Sequence, residues 1–151
     1  MKTLYHFTSE YHLPSIVADG VLRTTDPNLF ATGPATFLDT KTGEVITVGG
    51  PILGQPVVWF FDTPTVPSGD HGLDGSTGKN ALRVTVVVDD GRLWLDWVKV
   101  RRHDPGWVRL VVRTGGGERC ARHWYVVPRP VTRAEWVEVR DMRTAKLVEL
   151  P

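Results

Sequence analysis

Short runs of apolar and β-branched residues recur along the chain, and turn-forming residues separate them. Such runs, bounded by Gly, Pro, Asp or Asn, are typical of strands. The continuous apolar run 57–61 has no polar face, so it predicts a central, buried strand. The pattern predicts strands at 4–8, 37–39, 44–48, 57–61, 81–88, 107–113, 123–127, 136–139 and 146–150.

Helical periodicity is confined to a few short segments. Leu13, Ile16 and Val17 recur at i, i+3 and i+4, which predicts a short helix beginning at residue 9 or 10 and ending at Gly20. Segment 132–135 predicts a single helical turn. Residues 93–100 fit either a short helix or a strand.

The composition agrees with a chain dominated by short strands. Its 15 Gly and 11 Pro favour many turns over long helices. A length of 151 residues suits one domain, 1–151, with an ordinary apolar core. Six Trp are many for this length, and packing in the core is the simplest use for most of them.

Charge and cysteine content narrow the partners and the compartment. A formal net charge of +1 excludes a broad electrostatic clamp on nucleic acid, although a local basic patch remains possible. Cys120 stands alone, which excludes an internal disulfide and favours a reducing, cytoplasmic location. The five histidines lack the spacing of zinc ligands, so no metal is expected. No apolar run reaches the length of a membrane span, and the first residues do not form a signal peptide.

The first 22 residues carry the most specific motif. Strand residues 5–8 read Tyr-His-Phe-Thr, a helix with Pro-Ser-Ile at 14–16 follows, and Gly-Val-Leu at 20–22 leaves it. This opening resembles that of ADP-ribosyltransferase domains, most closely the DarT-type DNA ADP-ribosyltransferase toxins. The similarity continues more weakly at 57–61 and 122–137.

The resemblance implies a fold and a reaction. The expected fold is α+β and ADP-ribosyltransferase-like: mostly antiparallel β, with two packed sheets around a cleft and one or two short helices. The expected activity is NAD-dependent mono-ADP-ribosylation, in which the nicotinamide–ribose bond breaks through an oxocarbenium-like state. NAD is then a substrate, and the acceptor is nucleic acid, DNA before RNA, or protein.

Residue roles follow from the same resemblance. His6 would contact the adenosine-side ribose of NAD, Thr8 would lie beside it, and the backbone of Phe7 would bind the carboxamide. The resemblance further implies pocket-lining residues at Arg23, Thr24 and Asn28 and an aromatic wall from Trp59 or Phe61. For His6 and Trp59, the alternative interpretation is burial in the core.

The catalytic carboxylate is where the chain departs from the family. The late strand should supply a Glu, but Trp124 stands at that position, and a slip of one residue would place His123 there. Glu118, on the preceding glycine-rich segment, is the nearest acid that can fold into the pocket. The alternative function is a catalytically inactive module of the same fold that binds a nucleotide or nucleic acid. A third possibility is an interaction protein that uses its β surface.

Basic residues are the candidate phosphate contacts. Lys79 and Arg83 follow a long polar loop and can pair with pyrophosphate or an anionic target. Arg101, Arg102 and Arg122 are candidate contacts to nucleic acid. With Arg119, Arg129 and Arg133 they would form one positive face; a solvated turn is the alternative for 101–103.

Overall fold

The computed structural model describes residues 1–25, 35–40, 42–49, 56–66 and 79–151. Its elements in chain order are β1 (Lys2–Thr8), α1 (Leu13–Asp19), β2 (Val21–Leu22), β3 (Ala35–Leu38), β4 (Val45–Val48), β5 (Val58–Phe61), β6 (Leu82–Val88), β7 (Arg92–Leu93), α2 (Trp94–Val100), α3 (Pro105–Thr114), α4 (Glu118–Ala121), β8 (Trp124–Val127), β9 (Val131–Thr132), a 3₁₀ turn (Arg133–Glu135) and β10 (Trp136–Asp141). The fold class is therefore α+β, with mainly antiparallel strands.

A six-stranded antiparallel sheet organises the described part of the chain. Its order is β10-β6-β1-β5-β8-β7, so β1 lies near the middle. Tyr5 of β1 pairs with Phe61 of β5, and Phe61 in turn pairs with Trp124 of β8. The predicted strand at 57–61 is confirmed as a central, buried strand.

The two faces of the sheet are covered by different elements. One, the α1 face, packs Leu4, Phe60 and Val84 against helix α1 and against the β2–β9 ladder. The other, the tryptophan face, packs against α2, α3, α4 and the β3–β4 hairpin. Because side chains alternate along a strand, the residues on either side of Leu4 point to the opposite face.

Four indole rings form the centre of the tryptophan face. The ring centroid of Trp94 lies 5.3 Å from that of Trp124, 5.6 Å from Trp59 and 6.1 Å from Trp107. Their burial holds helices α2 and α3 against the sheet. Packing in the core is thus confirmed as the use of these rings.

Local sequence signals are borne out at several positions. Gly20 ends α1 in the left-handed conformation, with φ of 65°. The 37–48 hairpin forms as β3 and β4, and the 132–135 turn carries a capping box between Thr132 and Glu135. After β10, Leu147 forms an isolated bridge to Arg140, but the strand predicted at 146–150 is not formed.

Some sequence expectations are wrong. Residues 107–113 form helix α3 instead of a strand, since Asp104 accepts a hydrogen bond from the amide of Trp107 (3.0 Å) and Pro105 fits the first helical turn. For residues 93–100, where helix and strand were both left open, the structure has helix α2 at Trp94–Val100. Helix α1 begins at Leu13, later than expected, because Pro14 belongs in a first turn.

The number of helices and the sheet arrangement differ from expectation too. The described residues contain four α-helices where one or two were expected. Two packed sheets were also expected, but the described strands form one large sheet with two small two-stranded ladders. No helix in these parts of the chain is both long enough and apolar enough to cross a membrane.

Candidate functional site

His6 lies on β1 and points to the α1 face. Its Nδ1 is 2.9 Å from the backbone oxygen of Trp59, and its ring meets that of Phe60 edge-on at 5.8 Å. A carbonyl oxygen only accepts, so Nδ1 must carry the hydrogen. Burial lowers the pKa of His6, against the opposing effect of the Trp59 hydrogen bond. The ring is therefore neutral at pH 7, and Nε2 presents a lone pair.

Among the described residues, none forms a hydrogen bond to Nε2 of the half-buried His6 ring. Thr8 lies two residues further along β1, so it shares the α1 face. Phe7 lies between them on the tryptophan face, where its ring meets Phe61 at 5.6 Å. The structure thus brings His6 and Thr8 together and directs the Phe7 side chain away.

A second polar group lies where β5 ends and β8 begins. Nδ1 of His123 donates to Oδ1 of Asp62 at 2.8 Å, and Nε of Arg122 donates to Nε2 of His123 at 3.3 Å. The guanidinium only donates, so Nε2 is the acceptor of this contact and Nδ1 is the donor to Asp62. The backbone amide of Asp62 also donates to the oxygen of His123 (3.1 Å).

Continuing the alternation of β5 and β8 by one residue beyond each strand puts this pair on the face of His6. Phe60 and Tyr125 pack on the α1 face, and Asp62 and His123 are each two residues away from one of them. The Tyr5–Phe61 register makes His6 and Asp62 diagonal neighbours across two strands. Such neighbours lie about 7–8 Å apart, within reach of one ligand.

Asp62 and Tyr125 are residues that sequence reasoning missed. Asp62 is the first polar residue after the apolar run, two positions from Phe60, and this spacing was the signal for its face. Tyr125 is half-buried beside the ring of Phe60. Because it is adjacent to Trp124 in β8, its side chain points to the opposite face of the sheet. Both become recognisable only when the register of β1, β5 and β8 is known.

Trp124 and Glu118, the two other candidates for the position of the catalytic acid, do not lie beside His6. Trp124 is 6% exposed and lies among the indoles of the tryptophan face. Glu118 begins α4, which packs on that same face, so the sheet separates Glu118 from His6. Of the two neighbours at 123 and 124, the structure places His123 on the His6 side.

The proposed aromatic wall is not formed beside His6 by Trp59 or Phe61. Both side chains point to the tryptophan face, where Trp59 meets Trp94 and Trp124. Core packing, the alternative considered for Trp59, is the arrangement observed. Tyr125 instead provides a half-buried ring on the α1 face.

The residues after β2 are only partly described. Arg23 is exposed and pairs with Asp19 at 3.0 Å. Thr24 is half-buried and precedes Thr25, which bridges to Val57 at the edge of β5. Asn28 lies outside the described residues.

Arg83 is engaged in structural contacts. Its guanidinium donates to the oxygen of Pro64 (2.8 Å) and to Glu138 (2.7 Å), and it lies 5.1 Å from the ring centroid of Tyr5. The Pro64 contact, with Val66 packed on the tryptophan face, holds residues 64–66 on that side of the sheet. Lys79 is exposed in the turn before β6.

The remaining basic residues do not form a single face. Arg101 stacks on Trp97 (4.4 Å) at the end of α2, beside the exposed Arg102, and Arg122 is exposed next to His123. Two others belong to the β9 region: Arg129 pairs with Asp90 and Glu135, and Arg133 covers Trp136. The predicted positive face is therefore divided, with Arg119 and Arg122 in a separate cleft between helices.

Neither metal ligands nor known relatives help to assign a function to this chain. The described residues contain no group of three or more side chains suited to hold a metal ion. Comparison of the chain with protein-family models, with curated proteins and with solved structures gave no match. Any assignment of function therefore depends on the motif and on the geometry of the site.

Proposed function

We propose that the chain is an NAD-dependent mono-ADP-ribosyltransferase-like enzyme that binds NAD on the α1 face, at His6. The observation that carries the proposal is the state of this ring. Trp59 fixes its tautomer, burial keeps it neutral, and Nε2 is left to accept a hydrogen bond from a ribose hydroxyl. Thr8 supports the proposal because it offers a second hydroxyl contact on the same face.

The reaction needs a negative charge near the ribose that reacts. As the bond between ribose C1′ and the nicotinamide nitrogen breaks, its electron pair leaves with nicotinamide and positive charge develops on the sugar. Asp62 is the carboxylate that the register brings near His6 on this face. In the proposed enzyme, Asp62 takes the role that the missing Glu would have played.

Transfer is completed when the acceptor bonds to C1′ and loses a proton. Nε2 of His123 can receive that proton, because Asp62 orients the ring and would balance its charge. Arg122 holds the same nitrogen and must move aside first. This exposed contact is 3.3 Å long, so its loss costs little.

A catalytically inactive nucleotide-binding module is the second candidate. The late strand carries the buried Trp124 where the family has its acid, and Glu118 lies behind the sheet. If Asp62 does not reach the ribose, the same face binds NAD without cleaving it.

Release of nicotinamide separates the two. The folded protein is incubated with NAD labelled in the nicotinamide ring, together with DNA, RNA or protein acceptors in separate reactions. Wild type, His6→Ala and Asp62→Asn are compared with His103→Ala, a matched histidine variant on the tryptophan side. The enzyme predicts release that Asp62→Asn abolishes, that His6→Ala weakens in line with its higher Kd for NAD, and that His103→Ala leaves unchanged.

Binding is measured in parallel by calorimetry. Saturable binding of NAD with no release would support the inactive module. Failure of the folded wild-type protein to bind NAD would contradict both candidates. The acceptor class follows from which reaction incorporates a label placed in the ADP-ribose part.

A further inference from the structure

Arg122 lies between the proposed base and an open cleft. It follows α4 as its C-cap and directly precedes His123, to whose Nε2 its Nε donates at 3.3 Å. The side chain is exposed and also lines a cleft of about 820 Å³ between α2, α3 and α4. The guanidinium therefore has room to leave His123 by rotation of its own side chain.

The two partners of this contact differ in how firmly they are held. His123 is fixed twice: its Nδ1 donates to Asp62 at 2.8 Å, and its backbone oxygen accepts from the amide of Asp62 at 3.1 Å. Among the described residues, the side chain of Arg122 has only its contact with His123, and even Glu118, one helical turn earlier, does not pair with it. The histidine is thus the fixed partner and the arginine the movable one.

While Arg122 donates to Nε2 of His123, that nitrogen cannot take a proton from an acceptor. The lone pair of Nε2 is already used, and Nδ1 carries the hydrogen that is donated to Asp62. His123 therefore acts as a base only after Arg122 has been drawn away. The group that does so must bind a guanidinium more tightly than an imidazole nitrogen binds it.

A phosphate group meets this requirement. Its charged oxygens accept two parallel hydrogen bonds from a planar guanidinium at about 2.7–2.9 Å, shorter than the single 3.3 Å contact to His123. One edge of the guanidinium that suits such a pair of bonds includes Nε, the atom that holds His123. A phosphate bound on that edge takes the donor away from Nε2.

We propose that the acceptor is a nucleic-acid strand whose backbone phosphate draws Arg122 off His123, so that the base becomes available only when a strand is bound. This inference rests on the proposed function. As the accepting ring nitrogen or hydroxyl oxygen of the strand bonds to ribose C1′, its proton passes to Nε2. The electron pair of the broken bond leaves with nicotinamide. Arg122 acts through His123 and is a positioning residue; a protein acceptor, which brings no backbone phosphate, would leave it in place.

The first test follows the lone pair of Nε2 directly. The full chain is labelled with ¹⁵N in its histidines, and the ring nitrogens are recorded by NMR at about pH 8, where histidine rings are ordinarily neutral. The His123 signal is identified by its absence in His123→Gln, and Arg122→Ala gives its position without the arginine contact. A mixed-sequence oligodeoxynucleotide of about eight nucleotides, added without NAD, should move the wild-type Nε2 signal toward that position. Arg122→Ala itself should not respond.

Transfer from NAD gives the second readout. Nicotinamide release is compared between the oligodeoxynucleotide and the matching mixture of free deoxynucleosides, which carry the same bases without backbone phosphates. Wild type should prefer the strand. Arg122→Ala should raise release with the nucleosides roughly three- to tenfold, since Nε2 is no longer held, and should lower the preference for the strand at least about tenfold.

An arginine elsewhere on the surface supplies the matched control. Arg133 is exposed and lies over the ring of Trp136. Arg133→Ala should behave as wild type in both the spectra and the release assay. Circular dichroism verifies the fold of each variant, and the exposure of Arg122 means that its replacement leaves the core intact.

Three results would overturn the inference. They are an Nε2 signal that is the same in ligand-free wild type and Arg122→Ala, a wild-type signal that the strand does not move, or a preference for the strand that Arg122→Ala leaves unchanged. Faster transfer to a protein acceptor than to the strand would do so as well.

NAD carries phosphates of its own, so ADP-ribose and inorganic phosphate form separate arms of the NMR titration. If ADP-ribose alone moved the Nε2 signal as far as the strand does, NAD and not the acceptor would draw Arg122 away, and the assignment of the acceptor would fall. A smaller response to both than to the strand is expected. The proposed function fails separately, through absence of nicotinamide release, and the spectra recorded without NAD still decide the role of Arg122.

Discussion

Replacing His6 by Asn or by Ala separates the structural role of the ring from its proposed role toward NAD. An Asn side chain can donate from its amide to the oxygen of Trp59, as Nδ1 does, but it places nothing where Nε2 lies. Ala removes both nitrogens. The two variants should therefore differ in stability and agree in their loss of ligand binding.

The expected loss of stability follows from two contacts. His6→Ala removes the 2.9 Å hydrogen bond, about 0.5–1.5 kcal/mol, and the edge contact with Phe60, about 0.5–1.5 kcal/mol. The sum is about 1–3 kcal/mol, or a fall in Tm of about 3–10 °C for a chain of this size. His6→Asn should lose only part of this, because the first contact is retained.

The expected loss of NAD binding follows from the removal of Nε2 in both variants. Removal of one neutral hydrogen bond raises the Kd for NAD roughly three- to tenfold in both variants. Because the folded-state pKa of His6 is lowered, protonation is disfavoured in the native state. The contribution of the neutral His6 ring to stability is present above pH 6.5. It is lost as the pH falls below that value toward the lowered pKa. Binding of NAD should weaken at acid pH as well, since protonated Nε2 cannot accept.

Urea unfolding at pH 7.5 and pH 5.5, with calorimetric titration of NAD at both, makes the measurement. Wild type should lose more stability between these pH values than His6→Asn, which has nothing to titrate at this position. If His6→Asn bound NAD as tightly as wild type, the role given to Nε2 would be wrong. An equal pH dependence in the two proteins would contradict the neutral state of the half-buried ring.

Three other predictions concern the frame around the site. Gly106→Ala should destabilise the fold by about 1–3 kcal/mol, because the added Cβ would collide with the backbone oxygen of Thr47; an unchanged Tm would contradict the close approach of α3 to β4. Trp94→Ala should cost about 3–5 kcal/mol in urea unfolding, since its fully buried indole joins three others, and a loss below about 1 kcal/mol would show that the cluster is not the core. The Arg129 hydrogen bond lowers the pKa of Glu135, so its contribution to stability is present above about pH 4.5 and is lost as pH falls through the lowered pKa; Glu135→Gln should flatten the acid limb of a pH titration of Tm, and an unaltered limb would contradict the pairing.

Local chemistry in the sequence identified most of the strands and the C-terminal end of α1. Gly20 ends the helix because glycine adopts a positive φ without steric cost, a property that the residue type alone reveals. The β-branched run at 82–88 forms β6 for a similar reason, since its side chains suit a pleated surface. Such signals act within a few residues and need no knowledge of the rest of the chain.

Helix α3 shows where a local signal was outweighed. Residues 107–113 alternate weakly, and alternation alone predicts a strand. The start signal Asp104-Pro105 was present in the sequence and decides the helix, with Trp107 and Leu110 on its buried side. Both signals are present in the sequence. The alternation predicts a strand, whereas the Asp104-Pro105 start predicts the helix that is observed.

The composition of the candidate site was a matter of register, which only the tertiary structure decides. The family resemblance of the first 22 residues pointed to His6 and Thr8, which lie on one strand at a spacing of two. It could not show that Glu118 lies behind the sheet or that Asp62 lies diagonal to His6, because those relations depend on how β1, β5 and β8 pair. A shift of one residue in that pairing would turn every side chain to the other face. Residues distant in sequence therefore share a site through hydrogen-bond register, and that information is absent from any single segment of the chain.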